Sequence, residues 1–275
     1  MRLELTRRPL NAESTWLLKH RRDVTSQCGE DGILEKIFEV IGDHGKVCVE
    51  LGAWDGVHCS NTHALLRDRG WSGYLIEANA DRFKELQRTY RDNPRATLIH
   101  RFVDLDPGRG TLDEILAEHA CPREIDLLSI DIDGNDYYLW ESMPEPTAKV
   151  VLIEFNPTVP NDVVFVQERS ASVHQGCSLL ALTELAEKKG YELVCATDWN
   201  ALFVRLELFP LFKIEDNSLE AMYHPRMDGR IFHGYDGTVH VVGMPGLMWH
   251  GVKLSHENFQ VLPPHLRVYR DAQQP

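Results

Sequence analysis

The sequence predicts an α/β fold, with a mostly parallel β-sheet between two layers of helices and one antiparallel strand at the sheet edge. Three observations support this class. Segments of helical and strand periodicity alternate between residues 30 and 205. The strand segments are continuous apolar runs, which is typical of parallel strands buried on both faces. The last two strands form a hairpin, which requires one of them to run antiparallel.

Each element has a local signal at its start or its end. Ser60 or Asn61 is the expected N-cap of the second helix, and Thr111 that of the fourth. Pro144 ends the fifth helix and Gly190 the sixth. In chain order we predict helix 32–41, strand 46–52, helix 61–69, strand 73–78, helix 81–90, strand 96–103, helix 111–119, strand 125–132, helix 136–143, strand 149–155, helix 178–189 and a hairpin of 191–197 with 201–206.

Composition divides the chain in two. We predict a main domain over 1–206 and a C-terminal extension packed on it over 207–275, where prolines, glycines and aromatic residues accumulate. Within the extension, 238–242 and 259–262 are candidate strands. The loop 157–177 is long for a compact domain, and its apolar residues favour an ordered loop above the active site.

Charge and cysteine usage exclude several classes of protein. The chain has 42 acidic and 29 basic residues, a net charge of −13, which disfavours nucleic-acid binding. No apolar stretch approaches the roughly 20 residues that span a bilayer, and no apolar segment follows the basic N-terminus as in a secretory signal. The six cysteines form no CxxC pair, which predicts reduced thiols in the cytoplasm. The sequence is compatible with a homo-oligomer.

A glycine and an acidic residue follow the first two predicted strands. Gly52 permits a sharp turn and the close approach of a ligand, although its spacing to Gly56 is not the dinucleotide G-x-G-x-x-G. Glu77 ends the second strand, where a carboxylate can accept hydrogen bonds from a ribose. The alternatives are a turn without a ligand and a capping carboxylate, but the two features together favour a nucleoside site. Asp104, after the third strand, could then meet the base.

Oxygen-bearing side chains also end the fourth and fifth strands. We expect Glu154 and Asn156 to face Asp131 across the crevice, because the two strands should be neighbours. Such a set suits a divalent cation, Mg²⁺ or Mn²⁺. The alternative is a hydrogen-bonded cluster that orders the loops. His174, just before the last helix, is a candidate general base or metal ligand, with a surface or packing role as the alternative.

Several short motifs, in their order and spacing, resemble those of a known protein family. They are SQCGEDG at 26–32, ELGA at 50–53, SNT at 60–62, GYLIE at 73–77, SIDIDG at 129–134, GCSL at 176–179 and GYELV at 190–194. In the tail, GYDG at 234–237 and QVLP at 260–263 resemble the extension of one bacterial branch. The chain resembles class I S-adenosylmethionine-dependent methyltransferases and, within them, the FkbM-like family. It differs at Asp133, where the family more often has Glu.

The resemblance implies a Rossmann-like seven-stranded sheet with the methyl donor, S-adenosylmethionine, bound over the first two strands. It implies that Glu77 holds the ribose, that Gly52 approaches the methionine part, and that Asp131 lies near the donor amine or the reacting centre. The predicted donor-binding residues are Gln27, Glu50, Gly52, Asp55, Glu77, Asp104 and Asp131.

The predicted function is O-methylation of a hydroxyl on a sugar, glycan or secondary metabolite, as is typical of the family. Asp131 and His174 are the candidate catalytic residues, and we expect 157–177 and parts of 207–275 to form the acceptor side. One alternative is a lyase or cyclase that uses S-adenosylmethionine. Another is a non-catalytic nucleotide- or nucleotide-sugar-binding protein, which the missing dinucleotide motif disfavours.

Overall fold

The computed structural model describes residues 10–43, 45–144, 148–225, 230–242, 246–247, 252–253, 255–262 and 264–266. The chain divides into two compact units, one spanning Pro9–His224 and the other including Pro225–Pro275. Residues 207–224, at the start of the predicted extension, thus belong to the same unit as the sheet.

The first unit contains a seven-stranded sheet in the order β3-β2-β1-β4-β5-β7-β6. Strands β1 to β5 are parallel, and β7 runs antiparallel between β5 and β6. This confirms the predicted Rossmann-like fold class. The strands are β1 Val47–Leu51, β2 Ser72–Glu77, β3 Ala96–His100, β4 Ile125–Ile130, β5 Ala148–Glu154, β6 Tyr191–Ala196 and β7 Asn200–Arg205.

Six helices lie at the predicted places, and they are α1 Glu30–Ile41, α2 His63–Asp68, α3 Ala80–Thr89, α4 Leu112–Glu118, α5 Asp136–Ser142 and α6 Leu179–Lys188. A short helix after the sheet, α7 Leu219–Met222, has no counterpart in the prediction. Thr111 caps α4 as predicted, in a capping box with Glu114. Helix α2 begins later than predicted, because Asn61 and Thr62 bond to a buried carboxylate on β1.

Apolar side chains cover both faces of the sheet. Adjacent residues of one strand belong to different buried clusters, as Cys48 and Val49 do on β1 and Val150 and Val151 do on β5. Such burial on both sides is why the strands read as unbroken apolar runs. Glu77, Asp131 and Glu154 lie at or just beyond the carboxyl ends of β2, β4 and β5, where the candidate site lies.

The second unit contains two small antiparallel pairs. Strand β8 Arg230–His233 pairs with β9 Val239–Val242, and β10 Gly246–Leu247 pairs with β11 Val252–Lys253. Strand β9 confirms the predicted strand at 238–242. The strand predicted at 259–262 is wrong, because Ser255 caps a 3-10 helix at His256–Phe259 and no strand follows it among the described residues there. Pro263 of the QVLP motif lies outside the described residues.

Among the residues that the structure describes, no helix is long and apolar enough to span a membrane.

Candidate functional site

The candidate site lies at the carboxyl edge of the parallel strands. Strand β1 has β2 on one side and β4 on the other, so the chain order of the strands reverses at this point. In open α/β sheets, ligands bind in the crevice outside the strand ends at such a reversal. Gly52 and Asp131, which directly follow β1 and β4, stand at this position.

Gly52 makes the closest approach between these two strand ends. Its φ is +75°, and a β-carbon there would lie 1.8 Å from the carbonyl oxygen of Asp131. The N–H groups of Gly52 and Ala53 both donate to the carbonyl of Ile76 on β2, at 3.1 Å. Glycine is required here by both backbone conformation and space, and the predicted tight turn is present.

Glu77 ties the end of β2 to the turn after β1. One carboxylate oxygen accepts from the Trp54 N–H at 2.8 Å, and the other from the Asn79 N–H at 2.6 Å. The side chain is only 6% exposed. A carboxylate has about four acceptor positions, so each oxygen keeps room for a further donor such as a ribose hydroxyl.

No sequence pattern predicts the role of Trp54 in this turn. It adopts a φ of +49° and is 41% exposed, and the guanidinium of Arg82 lies 4.2 Å from the centre of its ring. Positive φ is rare for a bulky residue and marks a constrained position. The backbone conformation of Trp54 directs its N–H to Glu77, as seen in their hydrogen bond.

Asp55, the next residue, shapes the same turn. One oxygen of its carboxylate accepts from the N–H groups of Val57 and His58, at 2.9 and 2.7 Å. Burial raises the pKa of Asp55, but these hydrogen bonds from His58 and Val57 outweigh it and leave the pKa below its usual value. The Asp55 carboxylate is therefore ionised and already bound to its own loop.

Glu50, on β1, is buried and holds the loop before α2. Its carboxylate accepts from the hydroxyls of Ser60 and Thr62 and from the N–H of Asn61. Burial raises its pKa, and these three donors oppose that rise. The structure thus gives Glu50 an anchoring role, and a direct contact with the donor stays a prediction.

Gln27 and Asp104 are less constrained. Gln27 is exposed, and its side-chain oxygen lies 3.8 Å from the sulfur of Cys59. Asp104 is half-buried and accepts from the N–H of Asp106 at 2.9 Å. Their roles in donor binding also stay predictions.

Three carboxylates meet beyond β4 and β5. Asp131, Asp133 and Glu154 each place an oxygen within 4.8 Å of the others. The side-chain carboxylates of Asp131 and Glu154 accept no hydrogen bond from the described residues. Burial and the neighbouring carboxylates raise the pKa of both groups well above the ordinary value. The cluster therefore requires a proton, a cationic ligand or a metal ion.

The side chain of Asn156, the third predicted metal ligand, forms hydrogen bonds within the loop after β5. Its side-chain oxygen accepts from both the N–H and the hydroxyl of Thr158, which occupies both lone pairs. Its amide nitrogen donates to the Gln175 carbonyl at 2.7 Å. Asp133, rather than Asn156, thus supplies the third oxygen of the cluster.

Asp136 shapes the loop after β4. Its buried carboxylate accepts from the N–H groups of Ile132 and Gly134, both at 2.8 Å. These bonds fold the loop back and help to give Asp133 a φ of +57°. The carbonyl of Asp133 in this loop is the partner of His174.

His174 lies on the long loop after β5 and contacts the loop after β4. Its Nδ1 is 2.9 Å from the Asp133 carbonyl oxygen. A carbonyl can only accept, so Nδ1 carries the proton of the neutral ring and Nε2 keeps its lone pair. His63 has a structural contact instead, since its Nδ1 meets the hydroxyl of Tyr90, which donates to the carbonyl of Gly56.

No protein-family model and no curated protein matches this chain. Among solved structures, the N-terminal domain of EvdMO1 with SAH bound is 14% identical, covering 64% of this chain and 80% of its own, at a TM-score of 0.41. A S-adenosylmethionine-dependent methyltransferase from Clostridium acetobutylicum ATCC 824 is 10% identical, covering 64% and 90%, at 0.42. The N-terminal domain of human METTL16 in complex with SAH is 14% identical, covering 64% and 70%, at 0.40. At these scores the likeness alone decides neither the fold nor the chemistry of this chain.

Proposed function

We propose that this chain is a S-adenosylmethionine-dependent methyltransferase that acts on a hydroxyl of a sugar, glycan or secondary metabolite. The observation that supports it most is the junction of Gly52 and Glu77 at the reversal of strand order. There an exposed glycine backbone lies beside a carboxylate that two backbone N–H groups hold in place. The resemblance of ELGA and SIDIDG to the FkbM-like family supports the same donor.

The donor's charges suit the acidic cluster. S-adenosylmethionine carries an ammonium and a sulfonium, and Asp131 stands next to Gly52, where the methionine part is expected. Opposite charges stabilise ionised carboxylates and lower their pKa. We favour this clamp over a divalent cation because the predicted metal ligand Asn156 is committed to Thr158. A cation held by Asp131, Asp133 and Glu154 is the alternative, and it would lower the pKa of the acceptor hydroxyl.

His174 is the proposed base. The acceptor oxygen forms a bond to the methyl carbon while the carbon–sulfur bond breaks and its electron pair stays on sulfur. The hydroxyl proton passes to Nε2 of His174, which the Nδ1 contact with Asp133 leaves available. The products are a methyl ether and S-adenosylhomocysteine. The three reacting atoms must lie in line, with oxygen and carbon about 3 Å apart before reaction.

Calorimetry with S-adenosylmethionine tests the donor site. We expect Glu77→Ala to weaken binding about tenfold to a hundredfold, since a hydrogen bond to a charged group contributes about 1.5–3 kcal/mol. Glu77→Gln, which retains one acceptor oxygen, should lose less. Glu118→Ala removes an exposed carboxylate on α4 that pairs with Arg101 and serves as the matched control.

Thermal melting of each variant separates unfolding from lost affinity. Unchanged affinity in a folded Glu77→Ala protein would rule out the ribose role. Tight binding of NAD with no binding of S-adenosylmethionine would rule out the proposed donor.

A further inference from the structure

The long loop after β5 is fastened at one side chain, Gln167. A β-bridge between Val166 and Cys177 closes the second half of the loop, residues 167–176. Just inside the bridge, the N–H of Gln167 donates to the carbonyl of Gly176 at 3.0 Å. The side chain of Gln167 is 2% exposed, so it fills the interior of the loop.

Every polar group of this amide is used. Its oxygen accepts from the N–H groups of Gln175 and Gly176, both at 2.8 Å. Its nitrogen donates to the carbonyls of Val173, at 2.8 Å, and Ser170, at 3.3 Å. Gln167 therefore binds the backbone on both sides of His174, at positions 173 and 175.

The same amide reaches the loop after β4. The side-chain nitrogen of Gln167 donates to the side-chain oxygen of Asn135 at 3.1 Å. The backbone carbonyl of Gln167 accepts from the hydroxyl of Tyr138 on α5 at 2.8 Å. Gly134 leaves room for this approach. A β-carbon there would lie 2.9 Å from the Val173 carbonyl oxygen and 3.3 Å from the Gln167 nitrogen. The loop after β4 and the loop after β5 therefore pack so closely at Gly134 that no side chain would fit between them.

His174 depends on this fit. His174 is exposed, and Nδ1 of its ring bonds to the Asp133 carbonyl on the loop after β4. That hydrogen bond forms only if the loop after β5 stays packed on the loop after β4. An exposed histidine without it would exchange freely between its two neutral tautomers.

We propose that Gln167 is a positioning residue, which holds His174 against the Asp133 carbonyl and thereby keeps the proton on Nδ1 and the lone pair on Nε2. The inference rests on the proposed function for its purpose, because only a base needs Nε2 free. The tautomer of His174 can be measured whether or not the protein transfers a methyl group.

Nitrogen NMR of the full chain, labelled at histidine with ¹⁵N, tests the proposal. The two neutral tautomers have distinct ¹⁵N signatures, and comparison with His174→Gln assigns the signal of His174. In the unaltered protein at a pH where the ring is neutral, we expect the Nδ1–H form to predominate. In Gln167→Met, which keeps the length but loses every polar contact, we expect that predominance to be lost.

Two further variants separate positioning from general stability. Gln167→Glu retains the acceptor for Gln175 and Gly176 but sets an oxygen against the Val173 carbonyl, and it serves if Gln167→Met does not fold. We expect it to lose the Nδ1–H preference too. Asn217→Ala removes another amide, which bonds to the Glu192 carboxylate and the Leu193 carbonyl on β6, and should leave the His174 signal unchanged.

The proposal is overturned if His174 in the unaltered protein does not favour Nδ1–H. It is overturned equally if a folded Gln167 variant keeps the preference, or if Asn217→Ala abolishes it as well. A lower melting temperature with an unchanged tautomer would assign Gln167 a purely structural role. A protein that shows the predicted tautomer but binds no S-adenosylmethionine would refute the proposed function and leave this positioning role standing.

Discussion

A β-carbon on Gly52 would stand 1.8 Å from the carbonyl oxygen of Asp131, so the ends of β1 and β4 approach each other as closely as a glycine allows. Gly52 itself places no side chain between the backbone after β1 and the backbone of Asp131. Donor binding and the reacting centre meet at this contact in the proposed mechanism.

We expect Gly52→Ala to destabilise the fold and to abolish donor binding. The positive φ alone costs about 1–3 kcal/mol, and the clash with Asp131 adds to it. Gly70→Ala is the matched control, because Gly70 has a φ of +73° with nothing within 4 Å of an added β-carbon. Urea unfolding should show a larger loss for Gly52→Ala. Equal losses in the two variants would contradict the close contact.

The acidic cluster should lower the stability of the ligand-free protein at neutral pH. Burial and repulsion raise the pKa of Asp131 and Glu154 in the fold, so the folded state favours their protonated forms. Their contribution is therefore present at low pH. It is lost as pH rises from about 4, the unfolded value, through the raised folded pKa.

Asp131→Asn should thus be more stable than the unaltered chain at pH 8, by roughly 1 kcal/mol, while the difference shrinks towards pH 4. It should also bind S-adenosylmethionine more weakly. Denaturation at several pH values measures the first effect and calorimetry the second. Asp92→Asn, at an exposed pair with Arg91, is the control. Lower stability of Asp131→Asn at pH 8 would mean that its carboxylate is already compensated in the free protein.

Methyl transfer should survive exhaustive chelation. The cluster is proposed to bind the donor's cationic groups, so removal of divalent ions by EDTA should leave both donor affinity and turnover intact. Loss of turnover in EDTA, restored by Mg²⁺ or Mn²⁺ with little change in donor affinity, would instead assign the three carboxylates to a metal.

A chain that ends at His224 should keep its donor affinity. All predicted donor-binding residues lie within Pro9–His224, which is a compact unit. We expect the shortened chain to lose methyl transfer, because the sequence predicts that parts of 207–275 form the acceptor side. Undiminished turnover by a soluble shortened chain would exclude that role for the tail.

The sequence predicts the sheet well because its strands are buried on both faces and its helices have local caps, such as Thr111. It also predicts the meeting of Asp131 and Glu154, since parallel neighbours end at one edge. The commitment of Asn156 to Thr158 could not be predicted, because both residues bond within a loop that has no periodic pattern. The role of Gln167 could not be predicted for the same reason, since its partners are backbone groups whose positions depend on the folded loop.

Co-crystallisation with S-adenosylhomocysteine is the most direct test of the proposed donor site. We expect the ribose hydroxyls to bind the Glu77 carboxylate and the amino-acid part to lie over Gly52 beside Asp131. The sulfur should then lie on the His174 side of the crevice. Binding of the nucleoside away from Glu77, or no binding at millimolar concentration, would show that this donor site is wrong.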